Sequence, residues 1–105
     1  MILYDWKDCV FTVTTSAVLS AAVDLEKECD TMLVHIPTID STNLTCYVSE
    51  THAGTYYPLG NSATVAAGTG GFADTWDLGG YQHIKIGSSA DQTANRTFRV
   101  RGVRS

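Results

Sequence analysis

The 105-residue chain has few charges, two prolines, three cysteines and no long hydrophobic run. Each scarcity excludes something. No stretch approaches the ~20 apolar residues of a membrane-spanning helix, so no membrane partner is expected. The start, MILYDWKDC, lacks a basic head and an apolar run, so no secretory signal is expected and the protein is predicted to be made and kept in a cytoplasm. Cys9, Cys29 and Cys46 stand 20 and 17 residues apart, which is not the CxxC-type pairing of a zinc site. They read as reduced structural thiols, though a disulfide stays open. No segment carries the apolar spacing of an amphipathic helix. Without an internal repeat or a low-complexity tail, residues 1–105 read as one domain, long enough to bury a core without staples.

What remains is the pattern of strands. Met32, Val34 and Ile36 alternate with Leu33 and His35, and Leu44, Cys46 and Val48 alternate with Thr45, Tyr47 and Ser49. A period of two places each apolar set on one face of a half-buried sheet. Pro37 is expected to stop the first of these strands, because proline cannot donate to a ladder. Further strands are predicted at Cys9–Thr14, Ser20–Leu25, Thr55–Leu59, Ala63–Ala66, Tyr81–Gly87 and Arg96–Val103. Glu26–Asp30 reads as a charged connector, Thr75–Leu78 as a strand or tight turn, and Glu50–Gly54 as a turn with Gly54 free to take positive φ. Seven to eight short strands spaced this way predict an all-β fold, an antiparallel β-sandwich of jelly-roll type.

Charge is unevenly placed. Residues 1–50 hold eight acids against Lys7 and Lys27, while Arg96, Arg99, Arg101 and Arg104 crowd the last ten residues. The net charge of −4 argues against nucleic acid as the main partner. On the last strand Phe98 and Val100 point inward, leaving Arg99 and Arg101 as an outward row. That row reads either as a solvated edge strand or as a docking row for an acidic surface.

Other features resolve mostly into architecture. Gly68–Ala73, GTGGFA, imitates a dinucleotide fingerprint but has no following helix, so it reads as a loop. His35, His52 and His83 lie on separate elements without ligand spacing; His35 and His83 could face each other on one sheet. Asp74 and Asp77 are too few ligands for calcium, and no cofactor is expected. Asn43 and Asn95 fit glycosylation patterns that mean little without secretion. Tyr56, Tyr57, Trp76 and Tyr81 read as core or interface, or as a glycan-stacking platform. No acid–base pair or nucleophile setting emerges, so no catalytic residue is named and no enzyme is expected.

The stretches TTSAVLSAAVDLE, MLVHIPTIDSTNLTCYVSE and NRTFRVRGV resemble, as patterns of strands and turns, the small jelly-roll cement or decoration proteins of tailed-bacteriophage capsids. The short aromatic start and the three cysteines depart from that pattern. The resemblance implies a non-enzymatic virion protein on the capsid exterior, a homotrimer bound to the major capsid protein and stabilising the shell. Interface roles would then fall to Arg99, Arg101, His35, Tyr56, Tyr57 and Trp76. Residues 1–8, with Tyr4 and Trp6, would form an N-terminal interface segment. The alternative is a tail-fibre or baseplate module binding host glycans through the aromatic cluster.

Overall fold

A computed structural model describes residues 1–13, 19–60 and 64–105, with the side chain of Thr64 set aside. Six strands carry the fold: β1 (Ile2–Leu3), β2 (Lys7–Phe11), β3 (Val23–Ser49), β4 (Tyr57–Pro58), β5 (Thr64–Ser88) and β6 (Arg96–Arg104). Every pairing is antiparallel. The fold is therefore all-β, as the alternation predicts, and no helix occurs among the described residues.

The strand count differs from the expectation. Instead of seven or eight short strands, two very long ones, β3 and β5, run through several bends. The predicted segments Met32–Ile36 and Leu44–Ser49 are two stretches of β3. The register between β3 and β5 shifts between Asp24 and Cys29 and again between Thr38 and Thr42. The expected connector Glu26–Asp30 lies at the first shift, where Glu26 takes φ 78°, an unusual conformation for a residue with a side chain. Opposite the bends, Gly79 and Gly80 have φ 67° and 102°, which suit glycine where a ladder must turn a corner. Thr14 and Ala63, at the ends of two predicted strands, lie outside the described residues.

The bends let one ladder build two layers. In the first, the middle of β3 (Thr31–His35) sits between β5 (Ala73–Asp77) and β6 (Arg99–Val103), with β1 and β2 on the far side of β6. In the second, the end of β5 sits between the start of β3 and its end, so that Ile84 pairs with both Val23 and Val48. β4 continues this layer beyond the end of β3. A strand that changes layers at bulges is a known device of packed sheets. Pro37 does not end β3, but the β6 ladder stops at His35, two residues before the missing donor.

One face of each layer turns inward. Cys9, Met32, Val34, Phe98 and Val100 from the first layer and Cys46, Ile84 and Ile86 from the second belong to one buried cluster. All three cysteines are free and buried in it. Trp76 also lies in this core, 2% exposed.

Candidate functional site

The outward face of the first layer follows from register. Paired residues of adjacent strands point the same way, so Leu3 beside Val103, Arg101 beside Leu33, and Arg99 beside both His35 and Asp8 share one surface. Their neighbours Phe98, Val100, Met32 and Val34 point into the core. The surface thus gathers four of the residues singled out above, Trp6, His35, Arg99 and Arg101, while the Tyr4 side chain packs against the core.

β6 is not an edge strand, which corrects the solvated-edge reading. It is flanked by β3 on one side and by β1 and β2 on the other. Nor is its basic row unpaired. Arg99 meets Asp8 at 2.6 Å, and Arg96 meets Asp40 at 3.5 Å. Arg101 donates from Nε to the Tyr4 carbonyl at 2.5 Å, and its guanidinium sits 5.4 Å from the centre of the Trp6 ring. A hydrogen bond to the Tyr4 side chain, first among several causes, raises the Arg104 pKa above its ordinary value. Three of these arginines thus strap the first eight residues onto β6. Those residues are part of the sheet and not a loose arm, and the Tyr4 amide adds a bond to Gly102 O at 3.0 Å.

What the straps leave open is apolar and aromatic. Trp6 stacks obliquely on His35, ring centres 4.6 Å apart. Beside them lies a hollow of about 220 Å³ lined by Trp6, Leu33, His35, Ala73 and Asp74. Leu33 also borders an open groove of about 550 Å³ formed with Met1, Leu3, Thr31 and Val103. Met1 is almost fully exposed, and Ile2 and Leu3 are about half exposed.

The predicted aromatic cluster is dispersed. Trp76 is a core residue and leaves the list of surface candidates. Tyr56 is half-buried, donating to the His52 carbonyl at 2.8 Å with the Lys85 ammonium 4.6 Å above its ring. Tyr57 and Tyr81 instead line a polar groove in the second layer with Ser49, Glu50, Thr51, Gly54 and Thr55. Gly54 is required here by space and not by φ: a Cβ would meet Thr51 Oγ1 at 2.5 Å and Ser49 Oγ at 2.8 Å. His35 and His83 do not face each other; His83 lies edge-on to His52, centres 5.6 Å apart. Among the described residues no group of three His, Cys, Asp or Glu could hold a metal ion. The groove went unnoticed in the sequence because Tyr81 and Glu50 lie far apart in the chain. The alternation of Ser49 with Val48 was the available hint.

No protein-family model matches the chain, and no curated protein matches its sequence. Its fold does have solved counterparts. The crystal structure of the SPBc2 prophage-derived protein YomS covers 97% of this chain and 95% of its own, at TM-score 0.63 and 13% identity. The two chains share a fold. A chain of Bacillus endospore appendages, described as disulfide-linked pili, covers 99% of this chain and 88% of its own at TM-score 0.41 and 14% identity. A chain of the cyanophage Pam1 capsid asymmetric unit covers 95% and 80% at TM-score 0.42 and 15% identity. Scores at that level assign neither fold nor role.

Proposed function

We propose that this protein is a non-enzymatic structural component of a phage virion, a jelly-roll decoration protein that docks on the major capsid protein from outside and stabilises the shell. The reading rests chiefly on the outward face of the first layer, a sheet surface bearing Leu3, Leu33, Val103, Trp6 and His35 with no helix laid over it among the described residues. Leu3 is exposed and Leu33, Val103 and Trp6 are half-buried, and apolar surface left open to this degree suits a protein contact site. The fold shared with a prophage-derived protein agrees with a phage origin. Among the described residues β5 pairs on one side only from Ala73 to Asp77, and β1 borders the opposite side of the same layer, whereas the outer side of β2 already takes a bond from Ala21 N to Val10 O at 2.9 Å. The edges left at β5 and β1 on one layer suit head-to-tail assembly into a homotrimer, in which several weak contacts act together.

The test is to incubate the protein with expanded capsids lacking decoration. Stoichiometric attachment is expected, and Leu33→Asp is expected to abolish it while leaving the fold intact. Failure of the parent protein to attach overturns the proposal. Mass measurement in solution checks the trimer.

A further inference from the structure

We infer that the groove beside Tyr57 is a binding site for a cationic saccharide of the amino-sugar class. The groove encloses about 420 Å³ and adjoins a second hollow of about 230 Å³, the two sharing Ser49, Glu50 and Tyr81. The larger hollow falls within the ~300–1,000 Å³ of small-ligand sites. Its chemistry is specific. Tyr57 is 65% exposed, offering a ring face against which the C–H face of a sugar can stack. Ser49, Thr51 and Thr55 offer hydroxyls, and Gln82 an amide, along the floor and rim. Two carboxylates border the path, Glu50 in both hollows and Glu28 in the smaller one. Neither makes an ion pair among the described residues, although Glu28 contributes weakly to the raised pKa of Arg104.

Among the described residues no lysine, arginine or histidine lines either hollow. An acidic sugar would meet two like charges there, whereas an amine on the ring would find a carboxylate with no competing cation. The walls are also held in place. Tyr57 pairs with Val48 in the ladder and Tyr81 with Cys29. The turn between them is tied by Thr51 N to Ser49 Oγ at 3.3 Å, Gly54 N to Thr51 O at 3.2 Å, and Tyr56 to His52. A site already ordered loses little entropy on binding. A basic peptide would satisfy the carboxylates but would not need the stacking face.

The experiment is an NMR and calorimetric titration of the intact protein with a chitosan oligosaccharide and with its fully N-acetylated counterpart. The free-amine chain is expected to perturb Tyr57, Tyr81 and Glu50 and to bind about tenfold tighter than the acetylated one, one charge-assisted hydrogen bond in free-energy terms. Glu50→Gln is expected to remove that preference, and Tyr57→Ala to weaken both ligands. Both substitutions fall on exposed positions, so the fold is expected to survive them, and Trp6→Ala in the other layer is expected to change nothing. Absence of binding by either saccharide, equal binding of the two forms, or oligolysine occupying the groove without competition from saccharide overturns the inference. The outcome is separable from capsid docking because the two surfaces belong to different layers.

Discussion

Arg99 and Asp8 face each other across the β2–β6 ladder, guanidinium to carboxylate at 2.6 Å. Both side chains are about half exposed, so solvent screens the pair and it contributes at most about 1 kcal/mol. Its meaning is geometric. Together with Arg101 and Arg104 it turns the basic end of the chain into a clamp on the acidic, aromatic start. The arginines of the last strand are thereby largely engaged within the molecule, and the face of the first layer left for partners is mainly apolar and aromatic.

Arg101 is expected to matter more than Arg99. Its bond to the Tyr4 carbonyl is charge-assisted and half-buried, and its contact with Trp6 adds a cation–π term. Arg101→Ala is expected to cost about 1–2 kcal/mol in urea denaturation. Arg99→Ala is expected to cost under about 1 kcal/mol. Hydrogen exchange locates the effect: the Tyr4 amide, bonded to Gly102 O, is expected to lose protection in Arg101→Ala while the β3 core amides keep theirs. Equal protection in both variants would refute the clamp.

Gly102 is expected to be intolerant of any side chain. A Cβ there would run into Cys29 Sγ and come within 3.4 Å of Leu25 Cβ. Gly102→Ala is expected to destabilise by about 1–3 kcal/mol through overpacking. Adding Cys29→Ala should recover part of that loss, giving a favourable coupling in a double-mutant cycle. Strict additivity would show that the clash is relieved elsewhere.

Trp76 carries an indole Nε1 that is buried without a hydrogen-bond partner among the described residues. Trp76→Ala is expected to cost about 3–5 kcal/mol from the cavity it opens. Trp76→Phe keeps most of the ring and removes the unpaired donor, whose burial costs about 1–3 kcal/mol. It is therefore expected to cost about 1 kcal/mol or less in thermal or urea unfolding. A loss near that of Trp76→Ala would mean the indole N–H is satisfied after all.

The alternation at Met32–Ile36 and Leu44–Ser49 named the buried residues correctly because period two survives any change of layer. The same alternation could not say that both stretches belong to one strand. Continuity there runs through the register shift between Thr38 and Thr42, opposite Gly70 and Gly68 with φ 72° and 56°, and in sequence Pro37 and those glycines signal a break. The inward phase of Phe98 and Val100 was equally legible. The place of β6 inside the sheet was not, since a row of arginines suits an edge, and only the partner strands show that Asp8 and Tyr4 absorb it. Trp76 misled for a related reason: it lies among polar and glycine residues, yet its pairing with Met32 turns it inward.

Burial of the thiols sets the alkaline limit of stability. Desolvation, only partly offset for Cys9 by hydrogen bonds from Ser20 and Ile86, pushes Cys9 from its ordinary 9.0 up to about 11, and desolvation raises Cys46 to about 12. Both groups keep their protons longer in the folded chain than in the unfolded one. The stability they contribute is thus fully present below pH 9, the unfolded value, and is lost as pH rises through about 11 to 12. Urea midpoints are expected to hold steady up to about pH 9 and then fall, and Cys9→Ala with Cys46→Ala should flatten that fall although both variants start less stable. The same burial keeps the thiolate fraction negligible near neutrality, so alkylating reagents are expected to label Cys9 and Cys46 only at the rate of unfolding. Rapid labelling of either thiol in the native protein at neutral pH would contradict the buried placement of both.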